Sequence, residues 1–242
     1  MTRLSARAWI VLGATVGLLI VFATDQVVPA TSAYQAQVRL WLAGRAAGIA
    51  AYLLLTALVA LGLVLSHPTN HSTWRLSRRV FPWHENLFVF VVAFLAAHVV
   101  SLVLDPYAGV GVDGALIPGL SEYRSAPVAL GTLGLYAALV SGISARWTRL
   151  LPAGLWLKLH RFALVAWLMG WLHGLTAGTD ALALIPVYVV TGLTVVAAGA
   201  YRYGASRRER PTFAASLPDA ASPRSALLPA VAHTPPPEVP PR

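Results

Sequence analysis

Six long stretches of this chain contain no Asp, Glu, Lys or Arg, and they limit how it can fold. They are 8–24, 46–66, 86–104, 125–145, 162–179 and 181–201. A helix needs about 20 mostly apolar residues to cross a bilayer, and every stretch lies within the usual range of about 17–25. The stretches are apolar on every face rather than alternating, which argues against barrel strands, and a helix satisfies its own backbone in lipid. The sequence therefore predicts an all-α fold, a six-helix transmembrane bundle.

The basic residues indicate how this bundle is oriented. If the N and C termini are both cytoplasmic, 15 of the 18 Lys and Arg residues lie on the cytoplasmic side, where membrane proteins concentrate them. The outer loops then hold only Arg39, Arg45 and Arg124. We therefore expect a multi-pass protein of a cell membrane, in contact with the lipid bilayer. The Arg-rich, Lys-poor composition favours the cytoplasmic membrane of a bacterium.

Topology also explains the net charge of +9, which in a soluble protein would point to nucleic acid. Charged residues make up only 11% of the chain, against about 25% in soluble domains. The positive charge belongs to the loops and the tail that this topology places in the cytoplasm. We therefore expect no nucleic-acid partner.

The stretches divide the chain into three regions. Residues 1–45 hold the first span and an outer loop, residues 46–201 hold the other five spans, and residues 202–242 form a cytoplasmic tail. The tail holds nine of the 17 prolines and cannot bury a core, so we expect it to be disordered. The first span, which precedes Ala-Thr-Ser-Ala at 30–33, also resembles a signal peptide. The long gap before these small residues favours an uncleaved anchor.

The absence of cysteine excludes several kinds of site. Disulfides, Cys-ligated zinc, iron–sulfur clusters and covalently attached haem all need cysteine. No Asp or Glu lies within any of the six stretches either. Redox or metal chemistry inside this bundle would therefore rest mainly on histidine.

Four of the seven histidines form a pattern around the third and fifth stretches. His84 and His98 stand at an i,i+14 spacing, and His160 and His173 at i,i+13. The two helices run parallel, because one helix separates them. His84 and His160 lie at the cytoplasmic edge, and the other two lie about 20 Å farther out at about 1.5 Å per residue. The histidines therefore pair in depth, His84 with His160 and His98 with His173.

Two facing imidazoles at one depth suit the axial positions of a haem iron. A lone membrane histidine is often only an interhelical hydrogen-bond partner, but four in two matched layers favour two b-type haems. The i,i+13 spacing, at about 100° per residue, turns the second histidine away from the face of the first. The fifth helix therefore needs a tilt, a local bulge or a long side-chain reach, and Gly170, which lies between the two histidines, offers a place for a kink.

Haem propionates are anionic and need basic partners at the membrane edges. The basic inner loops supply inner candidates, among them Arg161 beside His160. Arg45 and Arg124 are the outer candidates, and Arg45 is notable because basic residues are scarce on that side.

Other residues of the spans and loops leave alternatives open. Trp167 and Trp171 lie mid-span, where they pack either on a porphyrin or within the bundle. His67 and His71 could bind a surface metal only on a continuous helix, and Pro68 argues against one, so we expect solvated loop residues.

Three short motifs and the two histidine spacings resemble one family, the ferric reductase-like transmembrane domain. The motifs are Leu-His-Arg at 159–161, Leu-His-Gly at 172–174 and Gly-Thr-Asp at 178–180, and the resemblance covers roughly 45–201. The family includes the membrane cytochrome b parts of ferric reductases and NADPH oxidases, and the haem subunit of a methionine sulfoxide reductase system. One departure is His84-Glu85, because bacterial relatives often carry His-Arg there.

The resemblance implies electron transfer through two haems, from a cytoplasmic donor to an outer acceptor. Its oxidase and reductase members append a flavin and nicotinamide module. Only the tail 202–242 follows the last stretch here, and it has no glycine-rich nucleotide loop. We therefore expect flavin only through a separate flavoprotein reductase, or a quinol as donor. The outer acceptor is not specified, and we expect electrons to leave near residues 105–124, beside Tyr107 and Tyr123.

Two other functions remain open. A histidine-based transporter of metal ions or protons would need carboxylates or broken helices near the midplane, and Pro186 is the one breaker inside the stretches away from their ends. A structural membrane subunit on a degenerate cytochrome scaffold is the other. The complete histidine set favours an electron-transfer subunit of an oxidoreductase, with no catalytic residue of its own assigned.

Overall fold

The computed structural model of the chain describes residues 32–67, 74–152 and 154–208, together with 8, 11–13, 15–17 and 19. From Ser32 onward, the described residues form seven α-helices and one 3₁₀ turn at Thr148–Leu150. The helices are α1 Ala33–Leu65, α2 Trp74–Leu104, α3 Gly111–Leu116, α4 Ser125–Arg146, α5 Leu155–His160, α6 Phe162–Ala177 and α7 Ile185–Arg208. This part of the chain contains no strand, which confirms the all-α prediction for it.

Four of these helices are long and apolar enough to cross a membrane: α1, α2 from Ser77, α4, and α7 to Gly204. The fifth predicted stretch, 162–179, corresponds to α6, which has 16 residues, and the short helix α5 precedes it. Most of the predicted span 8–24 lies outside the described residues, as do residues 209–242 of the predicted tail. The described helices thus fit a bilayer, while the count of six spans and their orientation stay predictions.

Helix α1 begins at Ala33, so the predicted start of this helix at residue 46 is wrong. Its first turn is capped by Ser32, whose hydroxyl accepts a hydrogen bond from the Gln35 amide at 3.1 Å. Arginine is a good helix former, so a charged residue does not end a helix. The 33 residues of α1 extend about 50 Å, longer than the about 30 Å hydrocarbon core. Arg39 and Arg45 therefore lie on a helix rather than in a loop.

The helical path between His160 and His173 is interrupted at Arg161, directly before the fifth stretch rather than within it. Only Arg161 separates α5 from α6, and the Leu164 amide donates to the Arg161 carbonyl at 3.2 Å, one 3₁₀-type turn back. This tight turn changes the rotation between His160 and the rest of the helix. Gly170, the position at which a kink was expected, lies inside α6. Pro186 is the second residue of α7, where proline costs no helical hydrogen bond.

The long helices pack as two antiparallel pairs. Helix α1 packs along α2, and α4 packs along α6, with a smaller contact between α1 and α6. A cluster of buried side chains joins α1, α6 and α7 and contains Val59, Leu63, Trp167, Val195 and Ala198. Helix α2, which carries His84 and His98, is not closely packed on α6, which carries His173. A slot therefore separates the two histidine-bearing helices.

The connection between α2 and α4 folds back over one end of this slot, which is called the outer end after the predicted topology. Its buried residues Ala108, Val110 and Ala115 pack against Trp41 and Tyr123, among others. The Thr132 hydroxyl on α4 donates to the Ala115 carbonyl at 3.1 Å, and the Tyr136 hydroxyl donates to the Leu116 carbonyl. These bonds tie α3 to the outer half of α4.

Candidate functional site

The four histidines of the sequence pattern meet as two pairs across the slot. The rings of His98 and His173 have centroids 6.2 Å apart, with planes at 75°. The rings of His84 and His160 have centroids 6.1 Å apart, with planes at 82°. The structure therefore brings together the pairs that the depth argument predicts. Two separate pairs have nearly the same separation and nearly perpendicular planes.

Hydrogen bonds fix the tautomer of both outer histidines. The Nδ1 of His98 lies 2.6 Å from the carbonyl of Gly44, and the Nδ1 of His173 lies 2.8 Å from the carbonyl of Pro127. A carbonyl can only accept, so each Nδ1 carries the proton and donates it. Each Nε2 is then left as a lone-pair donor. Metal-bound histidines use the same arrangement, in which the second nitrogen is tied to a backbone carbonyl.

The inner histidines are held less tightly. The Nδ1 of His160 lies 3.3 Å from the Ser141 hydroxyl and 3.4 Å from the Ser141 carbonyl. The same hydroxyl donates to the His160 carbonyl at 2.9 Å, at the end of α5. The Nδ1 of His84 is buried without a hydrogen bond of ordinary geometry, although it interacts with the Leu58 carbonyl. Ser141 thus orients His160, while His84 is oriented mainly by packing.

Three glycines make room for the histidine rings. A Cβ at Gly48 would lie 2.7 Å from His98 Nδ1, and one at Gly131 would lie 2.8 Å from His173 Nδ1. A Cβ at Gly62 would lie 3.0 Å from His84 Cε1. Sequence reasoning missed these positions. The signal was present, because Gly48 and Gly62 on α1 share the i,i+14 spacing of the two histidines on the antiparallel helix α2.

A cavity opens between the two helix pairs at the level of the outer histidines. His98 and His173 line it together with residues from α1, α2, α4, α6 and the start of α7. Many of the lining residues are small: Gly48, Ala51, Gly131, Gly134, Ala138, Ala166 and Gly170. The inner histidines do not line this cavity. A flat apolar ligand therefore has space between the outer pair, where a row of larger side chains would exclude it.

Arg45 lies at the outer mouth of this cavity, as its sequence position predicts. It forms an ion pair with Asp180 in the turn after α6, and its guanidinium lies 4.4 Å from the centroid of the Trp41 ring. Arg45, Trp41 and Asp180 all line the cavity, and so does Tyr123. The side chain of Arg45 is 17% exposed and that of Asp180 is 52% exposed. In the sequence Asp180 was notable only as part of the Gly-Thr-Asp motif, so its pairing with Arg45 is new.

The other basic candidates have different positions. Arg161 is exposed at the turn between α5 and α6, directly after His160. Arg124 donates to the carbonyl of Thr176 at 2.9 Å and, more weakly, to that of Ala177 at 3.5 Å. These carbonyls lie at the end of α6, where a cation is favourable. Arg124 therefore caps α6 rather than lining the cavity.

Trp167 and Trp171 face the bundle. The Trp167 indole donates to the Thr56 hydroxyl at 3.0 Å, and the Trp171 indole donates to the Tyr188 carbonyl at 3.0 Å. Neither residue lines the cavity, and Trp167 belongs to the buried cluster of α1, α6 and α7. Of the two roles left open by the sequence, bundle packing is the one this arrangement supports.

His67 corrects a prediction about the loop after α1. It is only 7% exposed and stacks on the Tyr201 ring, with centroids 4.0 Å apart. The prediction of a solvated residue is therefore wrong for His67, because the ends of α1 and α7 meet there. His71 lies outside the described residues.

No family model matches the chain, and neither a curated protein nor a solved structure matches it. The candidate site therefore stands on its own geometry. Among the described residues, His, Asp and Glu form no group of three or more with the arrangement of a metal-ion site. This part of the chain instead holds two pairs of imidazoles, and each pair has one ring on either side of the slot between the helices.

Proposed function

We propose that this chain is an integral membrane di-haem b-type cytochrome that moves electrons across a membrane. His98 and His173 would hold the outer haem, and His84 and His160 the inner one. When bound, each haem supplies one-electron exchange at its iron. The chain's own residues supply the ligands, an apolar surround and a fixed distance between the two layers. The placement of His84 and His98 on one helix, α2, separates these layers by about 20 Å along the helix.

The separation of the histidine rings carries this proposal. Metal–imidazole bonds are about 2.0 Å long, so two imidazoles on opposite sides of one metal have ring centroids about 6.3 Å apart. The two pairs have centroid separations of 6.1 and 6.2 Å. Direct hydrogen bonds or stacking between the rings would bring them closer. That the same value occurs in both pairs supports one kind of ligand in both layers.

The residues around the outer pair fit a porphyrin in two further respects. Both outer Nδ1 atoms donate to backbone carbonyls, which leaves both Nε2 atoms free to ligate. The cavity beside them is lined by small and apolar residues, which exclude water from the ligand. At the inner pair, the fit rests on the ring geometry and on Gly62, which makes room for His84.

Arg45 and Arg161 are proposed as partners of the haem propionates at the outer and inner edges. Arg45 is well placed for this role, because it lies at the mouth of the cavity that contains the outer pair. Arg161 directly follows His160 and is exposed, so it could turn toward an anionic group. Both assignments remain part of the proposal.

The broader setting follows from the resemblance and from the apolar stretches. We place the chain in the cytoplasmic membrane of a bacterium, with six spans, cytoplasmic termini and a disordered tail. The membership in the ferric reductase-like family is part of this proposal, and so is a separate flavoprotein reductase or a quinol as donor. The acceptor would lie on the outer side, near the connection that carries Tyr107 and Tyr123. Tyr123 already lines the cavity, while Tyr107 packs edge-on against Trp41.

The experiment that tests the proposal is an absorption spectrum of the purified protein, oxidised and then reduced with dithionite. Haem is quantified per chain in the same sample. Two low-spin b-type haems per chain are expected, with no absorption from other cofactors. One haem would remove one of the two layers from the proposal. A protein without haem, made in cells supplied with haem, would overturn it.

A further inference from the structure

The mouth of the outer cavity holds two opposite charges in contact. Arg45 comes from α1, and Asp180 comes from the turn between α6 and α7. Both line the cavity that contains His98 and His173. Their ion pair therefore connects α1 with the turn after α6 at the edge of the proposed outer redox site.

The two members of this pair differ in exposure, because the Arg45 side chain is 17% exposed and that of Asp180 is 52% exposed. Arg45 is largely covered, with the Trp41 ring against its guanidinium, while Tyr123 and Tyr188 also line the mouth. Coulomb interactions are stronger around such a covered group than in water. A charge that changes inside the cavity would therefore act on both members of the pair, and with opposite signs.

We propose that Asp180 lowers and Arg45 raises the reduction potential of the outer haem, an inference that rests on the proposed function. Reduction adds one negative charge to the site. A nearby carboxylate opposes that charge and a guanidinium favours it. The ion pair keeps the two effects close to balance.

The test is an optical redox titration of the purified holoprotein and of the variants Asp180→Asn, Arg45→Gln and the double variant. The outer step is identified by its loss in His98→Ala. Asp180→Asn is expected to raise the outer midpoint potential, and Arg45→Gln to lower it. Each shift is expected to be about tenfold in the reduction equilibrium constant, which is about 59 mV for one electron. The double variant should return toward the wild-type value.

Matched controls carry the same charge changes outside the cavity. Glu122→Gln is the control for the lost carboxylate, and Arg39→Gln, on the same helix as Arg45, is the control for the lost guanidinium. Neither residue lines the cavity, and each control should shift the outer midpoint by less than threefold in the equilibrium constant.

The sign of the shifts distinguishes this role from a structural one. If the ion pair only stabilised the fold, both single variants would shift the outer midpoint potential in the same direction. Shifts of the same sign, or control shifts as large as those at the pair, would overturn the proposal. If Arg45→Gln loses its haem, Arg45→Lys keeps the charge and should keep the wild-type potential. Unshifted potentials in a protein with two haems would reject only this inference, whereas a wild type without haem would reject the proposed function.

Discussion

Each outer histidine is oriented by a backbone carbonyl of the helix that packs beside its own helix. His98 on α2 donates to Gly44 on α1, and His173 on α6 donates to Pro127 on α4. The helix pairs that pack most closely are therefore those that aim the rings into the slot between the pairs. A ligand between the rings would occupy the Nε2 side of each imidazole, opposite the nitrogen that the backbone holds.

Replacing His98 should remove one haem and leave the other. His98→Ala takes away a ligand of the outer layer, while His84 and His160 lie about 20 Å away along the helix. We expect the haem content to fall from two per chain to one, measured by pyridine haemochrome assay. Leu95→Ala, on the same helix and beside the same cavity, should retain both haems. Two haems in the His98→Ala protein would contradict the ligand assignment.

Adding one methyl group at Gly48 should disturb the outer site alone. The new Cβ would lie 2.7 Å from His98 Nδ1, so the ring must move and its bond to Gly44 must weaken. Overpacking of this kind costs about 1–3 kcal/mol. We expect lower outer-haem occupancy in Gly48→Ala, measured by redox titration. Gly199→Ala is the control, because nothing lies within 4 Å of a Cβ there. Equal occupancy in the two variants would contradict the expectation.

At the level of single residues, the sequence predicted which side chains could act as ligands better than it predicted which residues touch one another. The depth of the four histidines follows from counting residues along apolar stretches, because helical rise is constant. The contacts of Gly48 and the pairing of Arg45 with Asp180 depend on how helices rotate against one another. A single sequence carries little information about that rotation, so these residues became evident only in three dimensions.

Helices were predicted accurately where composition and breakers agreed. The predicted stretch 125–145 matches α4 closely, since the helix ends at Arg146. The predicted start of α1 was wrong because charge was used as the boundary, and arginines at a membrane edge continue a helix without cost. The predicted start of the fifth stretch at residue 162 matches α6, but the spacing argument treated His160 and His173 as parts of one continuous helix, and no Gly or Pro marks the break at Arg161.

The perpendicular ring planes are a property of the helix pairs and have a spectroscopic consequence. The two pairs have interplanar angles of 75° and 82°. Perpendicular imidazole planes leave two iron d orbitals nearly equal in energy, which makes a low-spin ferric signal highly anisotropic. We expect both haems of the oxidised protein to give such signals in low-temperature electron paramagnetic resonance. The ordinary rhombic spectrum of parallel imidazoles would show that the rings rotate when they ligate.

Trp167 should stabilise the bundle without affecting the haems. Its indole donates to the Thr56 hydroxyl, and its side chain is 7% exposed. Trp167→Phe leaves that buried hydroxyl without its donor, which costs about 1–3 kcal/mol. We expect a lower unfolding free energy in mixed micelles and an unchanged haem spectrum. Leu168→Ala, at a 48% exposed position on the same helix, should cost less. A shifted haem spectrum in Trp167→Phe would favour packing on the porphyrin.

The whole molecule is an electron carrier only if its two histidine layers face opposite sides of the membrane. The chain contains no cysteine, so a single introduced cysteine reports its own location. Glu122 lies in the connection between α2 and α4, and Arg149 lies in the 3₁₀ turn between α4 and α5. Both residues are exposed, so a thiol at either position should be reachable without unfolding.

Positive loops stay in the cytoplasm, and the turn with Arg149 is flanked by Arg146, Lys158 and Arg161. In intact cells we expect a membrane-impermeant maleimide to label Glu122→Cys and not Arg149→Cys. Permeabilised cells should label both, which is the control for reactivity. The opposite labelling pattern would show that the bundle has the reverse orientation. His84 and His160 would then lie toward the outside, and the cavity mouth at Arg45 and Asp180 would open to the cytoplasm. The donor and acceptor sides would then exchange places, while the two-haem assignment would stand.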